Sequence, residues 1–180
     1  MQSNWVEQVM RYWFEELPAE AWFRKDTRVD DTIRERFRGL HDEVARLRPE
    51  QLVTPRDCLA AVIVLDQFSR NMFRGSPRSF ATDALALSIA QRAIATGLDQ
   101  QLTPQQRWFL YMPFQHAEDR AVQMRSIELF TQLNDPSNLG YAQRHKEVID
   151  RFGRFPHRNE VLGRVSTPEE AEFIATHRGF

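Results

Sequence analysis

A chain of 180 residues, 42% hydrophobic and 27% charged, is long enough to bury a sizeable core and reads as one domain spanning residues 1–180. Its 24 Lys and Arg side chains face 25 Asp and Glu, a formal net charge of -1, which argues against broad electrostatic attachment to nucleic acid or an anionic membrane, so any arginine cluster acts locally. The lone cysteine, Cys58, can form no intrachain disulfide, and the opening stretch MQSNWVEQVM lacks a basic segment followed by an apolar one. The apolar run Leu59 to Leu65 is about a third of the roughly 20 residues that cross a bilayer, so a cytoplasmic address is expected.

Taken in chain order, the elements are helices. Val6, Met10, Trp13, Phe14 and Leu17 mark the first. Val29, Ile33, Phe37, Leu40, Val44 and Leu47 recur at steps of three and four, one stripe of a second. Thr54 before Pro55 then opens a helix whose run Leu59 to Leu65 is apolar on every side, so it is expected to be central and covered all round. Ser76-Pro77, Thr103-Pro104, Asp135-Pro136 and Thr167-Pro168 repeat the same signal, a capping side chain followed by proline at the first helical position. Thr167 with Glu170 also fits a capping box. Gly97 and Gly153 fall where helices end, and Pro113 is expected to break or kink its helix just before His116. Alternating apolar and polar runs are absent. The expected architecture is therefore all-α, a single domain of about seven to nine helices packed largely as antiparallel neighbours.

Four stretches carry residues able to do chemistry. In LDQFSRNMFRGSPR, Asp66, Arg70 and Phe73 lie on one helical face, where Asp66 and Arg70 form at least an i,i+4 ion pair. The FRGSPR end of that stretch has a sharper reading. Gly75 lets the chain turn closely, Ser76 and Pro77 open a helix whose free amides attract anions, and Arg74 and Arg78 flank it; simple capping is the competing explanation. In PFQHAEDR, His116 and Asp119 share a face with Glu118 turned aside, a trio suited to general acid and base work. Alternatively, Glu118 and Asp119 only stabilise the positive end of the next helix. The ordered spacing of a metal motif is missing, so no metal and no cofactor is expected. His145 falls in the stripe Leu139, Ala142, Ile149 and Phe152 and reads as a hydrogen-bonded core residue. In IDRFGRFPHRN, Arg151, Arg154, His157 and Arg158 crowd a helix C-terminus, where cations are favoured anyway, yet so many planar donors also suit a carboxylate or phosphate.

YWFEEL at Tyr12 to Leu17, LDQFSRNMFRGSPRSFATDALAL, HAEDR and RFGRFPHRNEVLGRVSTPEE together resemble the bacterial family described as domain of unknown function 924, over nearly the whole chain. The resemblance implies an all-helical, tetratricopeptide-like fold and no established activity. It also singles out Asp66, Gln67, Phe68, Arg70, Asn71, Phe73, Arg74, Gly75, His116, Glu118, Asp119 and the run Arg154 to Asn159. Ser69 stands where family members commonly have proline, which leaves that helix end less sharply fixed. Ala117 stands where they commonly have serine, which excludes a seryl nucleophile there.

Two functions of different kinds follow. One is a polar pocket for a small anionic ligand, a carboxylate or phosphate compound, held by Asp66, Arg70, Asn71, Arg74, Arg154, His157, Arg158 and Asn159. In that pocket His116 with Glu118 or Asp119 would transfer protons if the protein is a hydrolase. The other is a protein–protein interaction module, which predicts an extended apolar or aromatic patch with exposed Trp or Phe.

Overall fold

The computed structural model describes residues 4–177, so the first three residues of the N-terminal stretch considered above lie outside the description. Every regular element among the described residues is helical. Helix α1 runs over Trp5–Arg11 and continues as a π-helix over Tyr12–Glu16. Helix α2 spans Thr27–Val44. Helix α3 is α-helical over Pro55–Val62, widens into a π-helix over Ile63–Phe68, and closes with an α turn at Ser69–Met72. Helices α4 (Asp83–Ala95), α5 (Pro104–Gln115), α6 (Arg120–Gln132), α7 (Pro136–Phe152) and α8 (Pro168–Thr176) follow. Short 3-10 turns join several of them.

Four of the five predicted caps act where the sequence places them. Thr54 accepts from the amide of Asp57 while the Asp57 carboxylate accepts from the amide of Thr54, so orphan donors are satisfied in both directions. Thr103 and Gln106 repeat this exchange, as do Thr167 and Glu170. Asp135 accepts from the amides of Ser137 and Asn138. Gly97 (φ 71°) and Gly153 (φ 70°) adopt the left-handed conformation just past their helices, which a side chain would disfavour.

One expectation needs correction. Ser76-Pro77 opens only the four-residue 3-10 turn Pro77–Phe80, and the helix proper starts at Asp83. Pro113 behaves as expected: α5 runs through it to Gln115 and ends just before His116. A proline so close to the C-terminus removes one backbone donor and leaves little helix beyond it to disrupt.

The chain divides into two compact units, one formed by residues 1–74 with 78–113, the other by residues 75–77 with 114–180. In the first, α3 is buried continuously from Cys58 to Ser69, as its unbroken apolar run predicts. Phe68 on α3 is an aromatic hub, with its ring centroid 4.8 Å from Phe37, 5.6 Å from Trp13 and 5.9 Å from Tyr12. The α2 stripe buries Ile33, Phe37 and Val44 together with two polar residues, Asp30 and His41. Phe23 remains 57% exposed, 5.4 Å from the Trp108 ring. The second unit packs Val148, Ile149 and Phe155 at its centre, with Phe152 and Phe173 against them.

Candidate functional site

In the first unit, the candidate residues of α3 are drawn into carboxylate clamps. Asp66 lies in the π-helical segment with its side chain fully buried. Arg70, one turn on, donates through Nη1 to the Asp66 carbonyl (2.9 Å) and approaches its Oδ1 at 3.1 Å. Both Nη atoms also donate to the Asp83 carboxylate at 3.0 Å. The Asp66–Arg70 pair is thus the i,i+4 contact of one helix extended into a fork onto the first residue of α4. Burial alone would make this guanidinium easier to deprotonate, but Asp66 and Asp83 outweigh it and hold Arg70 charged.

Asn71 and Arg74 meet on one acid, Asp30. The Asn71 amide donates to Oδ1 at 2.8 Å, and Arg74 donates through Nε at 2.7 Å and Nη2 at 2.8 Å. Burial would raise the Asp30 carboxyl, yet the Arg74 and Asn71 hydrogen bonds carry it below the usual carboxylate range. Arg78 lies 4.0 Å over the Phe73 ring and 3.7 Å from Asp42. Ser69 sits within hydrogen-bonding distance of His41 Nε2 (2.8 Å) and Thr82 Oγ1 (3.0 Å), and the Thr82 hydroxyl donates to the Leu65 carbonyl at 2.6 Å. The side chain at position 69 therefore ties α3 to α2 and to the residue preceding α4.

In the second unit the acids also have structural partners. Asp119 caps α6, accepting from the Val122 amide at 2.9 Å, the role its place before a helix suggested. Glu118 accepts from the Phe155 amide at 2.7 Å and from Arg164 Nη1 and Nη2 at 2.7 and 3.0 Å, while Arg164 also donates to the Phe155 carbonyl at 3.1 Å. Burial would raise the Glu118 carboxyl, but Arg164 and the Phe155 amide hold it below its ordinary value. Arg154 donates to Glu170 through Nε (2.6 Å) and Nη2 (2.8 Å), and to the Val165 carbonyl. Asn159 Nδ2 donates to Ser166 Oγ at 3.0 Å and to Glu170 at 3.3 Å.

Glu170 consequently serves Arg154, Asn159 and its own capping box, and its carboxyl is held down to about 2, first by the Arg154 hydrogen bonds. Because the folded value lies below the ordinary 4.5, this contribution to stability is complete above about pH 4.5 and is lost as the pH falls toward about 2. Urea unfolding at successively lower pH should show wild type losing stability across that window more steeply than Glu170→Gln. Equal slopes would mean that Glu170 is not a stabilising partner of Arg154.

What remains of the second-unit candidates is a basic cluster around Phe155. The His145 ring centroid is 5.7 Å from Phe155 and 6.0 Å from His116; that of His157 is 5.6 Å from Phe155, and the Arg158 guanidinium lies 4.5 Å over the same ring. Arg158 Nη2 donates to the His116 carbonyl at 3.0 Å, fixing the two segments together. His145 donates through Nδ1 to the Tyr141 carbonyl at 2.8 Å, as a hydrogen-bonded core histidine would. Burial, reinforced by the positive charges of His116, Arg158 and His157, pushes its pKa down to about 3. His145, which its apolar stripe places in the core, also belongs to this cluster. Asp30, Asp83 and Arg164, and Glu170 in its role toward Arg154, are partners that sequence spacing does not disclose.

Comparison with known proteins finds that residues 9–178 match the family described as bacterial protein of unknown function (DUF924). Among curated proteins none matches. A solved structure of a protein of unknown function from Agrobacterium tumefaciens is similar, with 39% sequence identity over 96% of this chain and 97% of that one and a TM-score of 0.90. Among the described residues, no helix is long and apolar enough to cross a membrane.

Proposed function

We propose, for a chain that belongs to the bacterial family of proteins of unknown function DUF924, that it binds a small anionic ligand, a carboxylate or phosphate compound, at the cluster of His116, His157 and Arg158, with His145, neutral and bonded to Tyr141, packed among them. The observation that carries this reading is the gathering of His157 and the Arg158 guanidinium on the Phe155 ring, with His116 joined to them through His145 and through the Arg158 bond to its carbonyl, while the nearby carboxylates of Glu118 and Glu170 are occupied by Arg164 and Arg154. Planar N–H donors in a mostly buried setting suit anions, because low polarity strengthens each charge-assisted hydrogen bond. Arg70 and Arg74 contribute less to such a reading, since each already grips a carboxylate. Proton transfer by His116 with Glu118 or Asp119 has weaker support for the same reason. Those acids hold a chain segment and cap a helix.

Thermal-shift measurements with inorganic phosphate, pyrophosphate and citrate test the proposal, because a ligand that binds the native state raises the melting temperature. His157 is only half-buried, so His157→Ala should fold normally yet weaken binding by roughly 1.5 to 3 kcal/mol, the range for a hydrogen bond to a charged group. No shift with any of these anions, or an undiminished shift in His157→Ala, would overturn the assignment.

A further inference from the structure

Within the first unit, the His41 imidazole stands at one end of a buried chain of hydroxyls, and we infer that its Nδ1 is a proton switch through which acid pH draws Asp42 away from Arg78 and loosens the turn leading into α4. His41, on α2, is only 5% exposed. Its Nε2 lies 2.8 Å from Ser69 Oγ, Ser69 Oγ lies 3.0 Å from Thr82 Oγ1, and Thr82 Oγ1 lies 2.6 Å from the Leu65 carbonyl oxygen. A carbonyl only accepts, and a hydroxyl owns one proton. The Thr82 proton therefore goes to Leu65 and the Ser69 proton to Thr82, so the contact between Ser69 and His41 takes its hydrogen from Nε2. No other order places a hydrogen in all three contacts.

Nε2 is thus the protonated nitrogen of the neutral ring, and Nδ1 is the basic one. Nδ1 is buried, has no hydrogen-bond partner among the described residues, and lies 3.6 Å from Asp42 Oδ1. In the neutral ring a lone pair faces a carboxylate across that gap, and a proton on Nδ1 turns the same contact into a charged donor facing an acceptor. Asp42 Oδ1 also lies 3.7 Å from Arg78 Nη2, and the Arg78 guanidinium rests 4.0 Å over the Phe73 ring. Imidazolium and guanidinium then compete for one carboxylate oxygen, and the outcome reaches the 3-10 turn Pro77–Phe80 that carries Arg78. The Asp42 and Arg78 side chains are each about half exposed, so both can shift without opening the core.

Asp42 and Arg78 are the charged groups acting on the imidazole. The other neighbours are uncharged: α3 presents Ser69 and the Phe73 ring, its centroid 5.2 Å away, and Thr82 ahead of α4 continues the hydroxyl chain. Burial, opposed by Asp42 and reinforced by Arg78, holds the His41 pKa below its ordinary 6.5, so the exchange of partners falls on the acid side of that value.

NMR of the full chain labelled with nitrogen-15, titrated from neutral to acid pH, reads both ends of the switch. At neutral pH the His41 ring should be protonated on Nε2, and on acidification the backbone amides of Arg78, Ser79 and Phe80 should shift with the His41 midpoint. Asp42→Asn should lower the proton affinity of His41 by roughly threefold or more and remove most of the amide shift, whereas Arg78→Gln should raise that affinity. Both substitutions fall on half-exposed side chains, so melting temperatures at neutral pH should equal wild type. A neutral ring protonated on Nδ1, a midpoint unmoved by Asp42→Asn, or turn amides that ignore the His41 transition would overturn the inference.

Discussion

Replacing Arg70 with methionine is expected to cost on the order of 3 to 5 kcal/mol of stability, the usual consequence of stranding a buried charge. Asp66 has a fully buried carboxylate with Arg70 beside it at 3.1 Å, and Asp83 takes both arms of the same guanidinium. Methionine fills much of the space but supplies no donor, so Asp66 loses a charged partner in an environment that water does not reach. Asp83→Asn is the informative contrast. Its side chain is 19% exposed, and losing that partner leaves Arg70 still paired with Asp66, so a smaller loss is expected. Urea unfolding of both variants gives the comparison. A loss below about 1 kcal/mol for Arg70→Met would put it among ordinary surface changes and make the fork incidental.

Ile63→Ala should cost on the order of 2 to 5 kcal/mol, because the deleted methyl and methylene groups leave a cavity that close-packed neighbours fill only partly. Ile63 is 0% exposed, as is every residue from Leu59 to Leu65, and it begins the π-helical segment of α3. Leu65→Ala falls under the same expectation. Unfolding midpoints measured with an unchanged denaturant slope would establish it. A change under about 1 kcal/mol would mean that α3 relaxes around the gap and that its segment is not tightly packed.

The parts of this structure that were legible in the sequence are those written locally. A capping side chain, the proline after it and the acid or amide three residues on all lie within one turn, so Thr54, Thr103, Asp135 and Thr167 announce their helices directly. The burial of α3 was equally readable, because an unbroken apolar run has no side it can turn to water. The clamps were not. Arg74 grips an acid 44 residues away and Arg164 one 46 residues away, and nothing in local spacing selects Asp30 or Glu118 from the other acids. The π-helices also left no periodic trace, since one widened turn shifts the apolar pattern too little to register in a run that is apolar throughout. Ser76-Pro77 shows the limit of the local signal: it started a turn, but Phe80 ended it within four residues. In the second unit the motif resemblance marked His157 and Arg158 without saying what they, together with His145, surround. Phe155, fully buried, supplies that centre.

The most direct measurement is histidine-ring NMR during titration with inorganic phosphate. The chain has five histidines; His116, His145 and His157 are in the cluster, whereas His41 is on α2 bonded to Ser69 and His177 follows α8. Saturable movement of the His116 and His157 signals, with His41 and His177 unmoved, is the expected result. Stationary cluster signals, or a uniform drift of all five without saturation, would contradict anion binding at this site.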